Sequence, residues 1–497
     1  MYDSQPRRWN LSQLLLILLL VVGVALRLYG INWDDSHHLH PDERQITMVV
    51  SRLGMPPLRQ WPSFFAPPFL ATPSEENPNF FNAETSPLNP RFFAYGSLPF
   101  YILRFTTHLL TVPSGLATHF ASWPSAAEFL AGLQRMSDYD HITLVGRALS
   151  ALIDTAVIYL TYLVGKRVYD RRVGLLAALF VTFTVFHIQV AHFYAVDALL
   201  TFFVLLFFVF AVDFARRGGT RNGVLMGVSL GLALATKFSA APLFLVALGA
   251  YALHYRRQGK GDRRRVASLF VLTIVSLAVV FFFSEPYAIL DFDAFSAGIS
   301  EQGRMVRGIA DYPYTRQYIN TPAFLYQIQH TALWGMGLPL GIVAYGGLGF
   351  FLWRVARYRK GEELLILAWV VPYFLITGSF MVKFLRYMLP LLPFFLILGA
   401  AMLYAFKDWL QRKAPEKRML ASAIWYGVTG LVIACSVLYT LAFSSIYSRN
   451  HSRIQASEWI YRNVPPGSTL ALEHWDDDLP LSPVSYTHLT LPTILLV

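Results

Sequence analysis

Cysteine is almost missing from this chain of 497 residues, which contains only Cys435. A single cysteine excludes an internal disulfide framework and a metal cage built from several thiolates. Charged residues are also scarce, at 14% of the sequence against about 25% in soluble domains. Hydrophobic residues make up 55%, and the mean hydropathy is +0.44. These features predict an all-α polytopic membrane protein.

The N-terminus has no short apolar segment followed by a small-residue cleavage site, so we interpret its first apolar run as a retained membrane span. The net charge of +11 could indicate a nucleic-acid partner. The basic residues, however, cluster in short segments between apolar runs, where membrane orientation and anionic headgroups account for them. We therefore expect membrane lipids, and no nucleic acid, as partners.

Hydropathy predicts about eleven transmembrane helices. They are expected at residues 11–29, 143–165, 173–190, 197–215, 223–236, 239–255, 267–284, 332–353, 362–380, 384–405 and 419–442. Arg7 and Arg8 precede the first span and predict a cytoplasmic N-terminus, and the dense basic clusters then fall on the same side.

A long first extracytoplasmic loop is expected at about residues 32–142. Within it, residues 92–110 are apolar, but another crossing there would invert every later loop. We therefore predict that this segment is a helix lying in the membrane interface.

The C-terminal part has a different character. Residues 456–463 favour a helix and 469–475 a strand, separated by the turn Pro465-Pro466-Gly467-Ser468. This is half of an α/β unit, in which the strand has no partner. We expect a transmembrane domain at 1–442, the start of a truncated extracytoplasmic α/β segment at 443–483, and a tail foreign to the natural protein at 484–497. A genuine flexible terminus is the alternative for this tail.

A polar stretch, His37-His38-Leu39-His40-Pro41-Asp42-Glu43-Arg44-Gln45, follows the first span. Ionisable residues at the mouth of a span are costly without a purpose, although a solvated loop is the alternative. Pro41 suits the first turn of a helix, whose N-terminus favours carboxylates at positions 42 and 43. Asp42 is a suitable base for an acceptor hydroxyl. Glu43 either shares this catalytic role or pairs with Arg44 or another cation.

The three histidines of this stretch, with Asp42, have a composition typical of metal sites but no standard ligand spacing. We therefore expect no metal and no other cofactor, with a divalent ion as the less favoured alternative. His40 is expected to hydrogen-bond a sugar or a phosphate.

Further charged residues stand at the predicted outer ends of spans, where basic residues are normally rare. Asp197 either binds substrate or stabilises a helix start. Lys237, Lys383 and Arg386 are candidate phosphate ligands, with snorkelling towards headgroups as the alternative.

The outer loop at 285–331 carries more polar candidates that could contact a sugar or an acceptor, or belong to a solvated loop. They are Glu285, Arg304, Arg307, Asp311, Tyr312 and Tyr314.

Four segments together resemble the C superfamily of membrane glycosyltransferases (GT-C). They are His-Pro-Asp42-Glu43-Arg-Gln, Phe-Tyr-Ala-Val-Asp197-Ala-Leu-Leu-Thr-Phe-Phe, Ala-Thr-Lys237-Phe-Ser-Ala and Lys383-Phe-Leu-Arg386-Tyr387-Met-Leu-Pro-Leu-Leu-Pro. The chain is similar to the bacterial relatives of dolichyl-phosphate-mannose protein mannosyltransferases and of the lipid A aminoarabinose transferase, over most of residues 10–480.

This resemblance implies an inverting transfer of a sugar from a polyprenyl-phosphate donor to a hydroxyl acceptor, outside the plasma membrane of a bacterium. It implies Asp42 as the base, basic residues such as Lys237 and Arg386 on the leaving phosphate, and Tyr387 as a further substrate-binding residue. It also implies that no metal is bound. The alternatives are a transporter or flippase, or a non-catalytic membrane scaffold, but neither accounts for charges gathered at one face.

Overall fold

The computed structural model describes residues 10–54, 56, 58–67, 78–120, 123–258, 263–358, 361–472, 478–481 and 493–496. The helices of the first half are α1 (Leu11–Leu28), α2 (Pro41–Arg52), α3 (Trp61–Phe64), α4 (Leu98–Thr111), α5 (Pro124–Gly132), α6 (Tyr139–Val168), α7 (Arg171–Thr182), α8 (Val185–Ala191), α9 (Val196–Arg217) and α10 (Thr220–Thr236). Those of the second half are α11 (Leu243–Gln258), α12 (Arg263–Ser284), α13 (Tyr287–Leu290), α14 (Phe292–Val306), α15 (Leu325–His330), α16 (Leu338–Tyr358), α17 (Gly361–Ser379), α18 (Leu392–Lys413), α19 (Arg418–Ser444) and α20 (Ser452–Asn463). Short 3-10 turns cover Leu58–Gln60, Val112–Phe120, Leu133–Ser137, Phe238–Ala240, Pro313–Tyr318, Leu385–Leu391, Pro415–Lys417 and Ser445–Ser448, and a π-helical turn covers Thr331–Gly335. The strands are β1 (Thr469–Leu472) and β2 (Thr493–Leu496).

Nine helical segments of the described chain are long and apolar enough to cross a bilayer, or ten if the bent pair α7–α8 forms one span. They overlap the predicted spans except at 223–236. There α10 has 17 residues and, at about 1.5 Å per residue, is ~25 Å long, shorter than a bilayer core of ~30 Å. The prediction of an all-α integral membrane protein is confirmed.

A buried polar group ties three of these helices together. Arg27 of α1 donates from Nε to Asp154 of α6 at 2.7 Å, and Nδ1 of His187 in α8 lies 2.7 Å from the other carboxylate oxygen. Arg27 also reaches the Val181 carbonyl oxygen at 3.4 Å, beside the 58° bend between α7 and α8. All three side chains are fully buried, so losing one would leave its partners unsatisfied in apolar surroundings.

The centre of the bundle is α9, a phenylalanine-rich helix that is apolar on all sides. It packs against α6, α10 and α11, and 78% of its most apolar stretch is buried. Small residues bring its neighbours close: a Cβ at Gly227 of α10 would lie 2.3 Å from the Thr273 carbonyl oxygen of α12. This packing carries Asp197, in the first turn of α9, into the interior.

The segment that was predicted as the first outer loop contains α2, α3, α4 and α5. The helix predicted at 92–110 is α4, whose 14 residues are too few for a crossing. It buries Phe100 and Leu103 while exposing Phe105 and Leu109, a pattern that suits an interface. The helix begins later than expected because the backbone N–H of Gly96 donates to the Thr236 carbonyl oxygen at 3.1 Å, which fastens the preceding segment to the end of α10.

The opposite end of the bundle is basic. Arg216 of α9 and Arg257 of α11 both pair with Glu362 of α17, at 2.7 and 3.0 Å. Three helix ends therefore meet at one face, as the clustering of the basic loops predicts.

The helix predicted at 456–463 lies within α20. The strand predicted at 469–475 is described only as Thr469–Leu472, and the expectation that it has no partner is wrong, since β1 pairs in parallel with β2. Apart from residues 493–496, the tail proposed to be foreign lies outside the described residues.

Candidate active site

The polar stretch after the first span forms the N-terminus of α2. His40 is the N-cap, and its Nδ1 accepts a hydrogen bond from the Glu43 backbone N–H at 3.2 Å. Pro41 occupies the first helical position, and Asp42 and Glu43 lie in the first turn. Neighbouring residues of a helix are about 100° apart, so the two carboxylates face different surroundings.

Asp42 points into a cavity. Its Oδ1 accepts a hydrogen bond from the Tyr95 hydroxyl at 2.7 Å, and its Oδ2 lies 3.1 Å from a terminal nitrogen of Arg386. Burial raises the pKa of Asp42, but Arg386, His40 and the Tyr95 hydroxyl outweigh it and lower the pKa below its usual value. The carboxylate is therefore ionised at neutral pH and can accept a proton.

The pKa of His40 is lowered to about 4, chiefly by burial and also by the charge of Arg386. Its ring is thus neutral at physiological pH, as the cap requires, because Nδ1 must be free to accept. The ring stacks on Phe193, with centroids 4.1 Å apart.

Two cations and an acid form the wall beside Asp42. Lys237 lies where α10 ends, and its Nζ donates to Asp197 Oδ1 at 2.8 Å. The Nε of Arg386 lies 3.7 Å from the other Asp197 oxygen. Tyr387 completes the wall, with the Lys237 Nζ 4.6 Å from its ring centroid. Asp197 is itself only 1% exposed, so it orients the two cations from behind.

The cavity has a volume of about 860 Å³ and lies at the end of the bundle away from the basic face. The lining includes His40, Asp42, Tyr95, Lys237, Arg386 and Tyr387. The segment after α12 adds Gln302 of α14, and Tyr314 and Gln317 of the following 3-10 turn, to the wall. Of the outer-loop candidates, Tyr314 therefore lies at the cavity.

Glu43 is not among the lining residues. Both of its oxygens accept from Arg147 of α6, at 2.6–3.1 Å, and one also accepts the Tyr194 backbone N–H at 2.8 Å. Arg147 binds Asp34 on its other edge, with two contacts of 2.8 Å. The sequence left Glu43 either as a catalytic residue or as the partner of a cation. In the structure it forms an ion pair, and its partner is Arg147. This buried pairing fixes α2 against α6.

Lys383, a candidate phosphate ligand from the sequence, also lies outside the cavity lining. Its Nζ donates to the Met381 carbonyl oxygen at 2.9 Å, so the side chain closes a local turn.

Three residues of this region were missed in the sequence. Arg147 was detectable as a cation inside a predicted span, and Asp34 as an acid directly after one. Tyr95 had no signal, because its position depends on the contact between Gly96 and α10. A Cβ at residue 96 would lie 1.9 Å from the Ala235 carbonyl oxygen, so only glycine allows this approach.

The histidines of the polar stretch diverge. The Nδ1 of His37 lies 2.8 Å from the Asp34 carbonyl oxygen, and that of His38 lies 2.9 Å from the Thr143 hydroxyl. Within the described part of the chain, no three His, Cys, Asp or Glu side chains are grouped as metal ligands.

Comparisons with known proteins agree with this architecture. Residues 140–283 match a family model described as dolichyl-phosphate-mannose-protein mannosyltransferase. A search of curated proteins gave no match.

Solved structures resemble nearly the whole chain. The apo oligosaccharyltransferase of Archaeoglobus fulgidus is 12% identical with a TM-score of 0.51, over 92% of this chain and 58% of that one. The ArnT protein of Cupriavidus metallidurans, bound to undecaprenyl phosphate, is 13% identical with a TM-score of 0.50, over 92% of this chain and 82% of that one. This chain thus spans little more than half the length of the archaeal enzyme. It has the fold of the GT-C superfamily of membrane glycosyltransferases.

Proposed function

We propose that this protein is an inverting glycosyltransferase that moves a sugar from a polyprenyl-phosphate donor to a hydroxyl acceptor. The observation that carries the proposal is that Asp42, Lys237 and Arg386, which are far apart in sequence, line one cavity. The archaeal oligosaccharyltransferase has been solved with a dolichol-phosphate, and ArnT with undecaprenyl phosphate. Both ligands combine a long apolar chain with a phosphate, as the proposed donor does.

In the proposed reaction, the Asp42 carboxylate removes the proton of the acceptor hydroxyl. The hydroxyl oxygen attacks the anomeric carbon of the sugar from the face opposite the phosphate. The bond between this carbon and the phosphate oxygen breaks, the electron pair leaves with the polyprenyl phosphate, and the sugar configuration is inverted.

Lys237 and Arg386 stabilise the negative charge that develops on the leaving phosphate. Asp197 holds both cations from behind, as a positioning residue. Glu43 supports Asp42 indirectly, because its bonds to Arg147 and Tyr194 fix the first turn of α2. We further propose that these two cations, and no divalent ion, supply the positive charge for the phosphate. Transfer that persists after treatment with a chelator would agree, and loss that added Mg²⁺ or Mn²⁺ restores would contradict it.

We also propose the arrangement in the membrane. The chain crosses the plasma membrane of a bacterium eleven times, with α10 as a short crossing and the N-terminus in the cytoplasm. The basic helix ends around Glu362 support a cytoplasmic position for that face, which puts the cavity outside. The transmembrane domain comprises residues 1–442, and the outer α/β segment starts at 443.

The experiment separates binding from chemistry. Binding of undecaprenyl phosphate to the purified protein is measured first, and then release of this lipid from a panel of undecaprenyl-phosphate sugars with added acceptors. Lys237→Gln should weaken binding by about tenfold to a hundredfold, since a charge-assisted phosphate contact contributes roughly 1.5–3 kcal/mol. Asp42→Asn should retain binding and abolish turnover.

Arg52→Gln serves as the control, because it removes an exposed cation from the other end of α2. Turnover retained by Asp42→Asn would refute the assignment of the base. Equal losses of binding in Lys237→Gln and Arg52→Gln would refute the phosphate site.

A further inference from the structure

A second cavity lies at the basic end of the bundle, away from the candidate active site. It has a volume of about 580 Å³ and is formed between α16 and α18. These helices run in the same direction and touch at a glycine pair, where a Cβ at Gly347 would lie 2.3 Å from the Gly399 backbone nitrogen. All residues that line the cavity lie on the C-terminal side of Gly347 in α16 or of Gly399 in α18. The two helices therefore meet closely in mid-membrane and leave a groove nearer their C-termini.

The walls of this groove are apolar and aromatic. Trp353 and Tyr358 of α16 and Trp409 of α18 line it, and each is at least half exposed. Aromatic rings of this kind are enriched at the boundary between acyl chains and headgroups. The groove thus opens at the level where a phospholipid changes from chain to headgroup.

Two arginines also line the groove. Arg354 of α16 uses Nε in an ion pair with Glu363, at 3.0 Å. Arg412 of α18 is exposed, and its Nε donates to the Asp408 backbone carbonyl oxygen at 3.1 Å. One buried carboxylate thus stands against two guanidinium groups, which leaves a net positive charge. Guanidinium groups bind phosphate oxygens in a fork geometry.

We propose that this groove binds an anionic glycerophospholipid of the leaflet at the basic face. The acyl chain lies between α16 and α18 against the aromatic rings, and the headgroup phosphate contacts Arg354 and Arg412. Charge complementarity selects an anionic lipid over a zwitterionic one, and the position of the groove separates this site from the cavity that holds Asp42. The inference does not depend on the proposed glycosyl transfer.

The test uses the whole chain of 497 residues, stripped of lipid in detergent, with native mass spectrometry to count bound lipids. Phosphatidylglycerol is compared with phosphatidylcholine of the same acyl chains. The wild type should prefer phosphatidylglycerol about fivefold or more, as expected for one or two surface arginines. Arg412→Gln should lose most of this preference, and it is expected to fold because Arg412 is exposed.

Two further variants make the result specific. Ala405→Phe fills the groove without changing the charge and should weaken binding of both lipids. Arg256→Gln removes an exposed arginine from the end of α11 at the same face, outside the groove, and should behave as the wild type. Equal binding of both lipids by the wild type, or equal losses in Arg412→Gln and Arg256→Gln, would overturn the proposal. The proposal would also be overturned if Arg412→Gln, but not Arg256→Gln, lost binding of undecaprenyl phosphate. The groove would then hold the polyprenyl lipid.

Discussion

Glu285 stands directly after α12 and is fully buried. The backbone N–H and the hydroxyl of Ser97 both bind its carboxylate, the hydroxyl at 2.7 Å. Burial raises the pKa of Glu285 from 4.5 to about 7, although the two Ser97 donors act against this. The protonated acid could donate to the Ser97 hydroxyl and accept from its N–H. Glutamine can make the same two bonds, so Glu285→Gln should mimic the neutral form.

The size of the effect follows from the two pKa values. A raised pKa means that the folded protein binds the proton more tightly than the unfolded chain. Its stabilising contribution is complete below pH 4.5 and is lost as the pH rises to about 7. Each pKa unit corresponds to roughly 1.4 kcal/mol, so the wild type loses about 3 kcal/mol across this range. Glu285→Gln has no proton to lose and keeps its stability.

The assay is the difference in melting temperature between Glu285→Gln and the wild type at pH 4.5 and at pH 8, followed by the fluorescence of the 11 tryptophans. With an unfolding entropy of roughly 2 cal/mol/K per residue, 3 kcal/mol corresponds to about 3 °C for a chain of this length. Relative to the wild type, the melting temperature of Glu285→Gln should therefore be about 3 °C higher at pH 8 than it is at pH 4.5. His40, whose pKa is lowered to about 4, favours the folded state at the opposite end of the range, but it is present in both proteins and cancels.

Glu128→Gln is the matched control, since Glu128 is an exposed acid of α5. Because the Glu128 side chain is exposed, removing its charge tests whether burial is needed for the effect seen with Glu285→Gln. A pH-independent difference for Glu285→Gln, or a variant that loses stability relative to the wild type as the pH rises, would refute the argument from burial.

Three further variants test the scaffold of the site. Arg147→Met leaves two buried carboxylates without a cation and should destabilise the protein by about 3–5 kcal/mol, measured as a lower melting temperature; an unchanged value would contradict the role of this ion pair. Gly96→Ala should move Tyr95 away from Asp42 and lower turnover. Gly115→Ala is the control and should leave turnover unchanged, because a Cβ at residue 115 meets nothing within 4 Å. Equal activities of the two variants would show that the close approach to α10 is unimportant. Lys383→Gln should bind undecaprenyl phosphate within about twofold of the wild type, because Lys383 lies outside the cavity, and a tenfold loss would restore it as a phosphate ligand.

Local patterns were sufficient for the helices and for the start of α2. Apolar runs of about 20 residues marked the spans, because the thickness of the bilayer sets their length. Pro41 and the two acids marked a helix N-terminus for equally local reasons. The errors have non-local causes: the expected start of the helix at 92–110 ignored the contact of Gly96 with α10, and the partner of β1 lies more than 20 residues further along the chain.

The sequence alone determined that this chain is a helical membrane protein and which charged residues stand at the ends of its spans. Only the tertiary structure decided which of those charged residues face the cavity and which are paired inside the protein. Asp42 and Glu43 are neighbours in the chain, yet one faces the cavity and the other is held by Arg147 inside the protein. The physical reason is that hydropathy and capping depend on residues a few positions apart, whereas the partner of a buried charge is chosen by the packing of helices far apart in sequence.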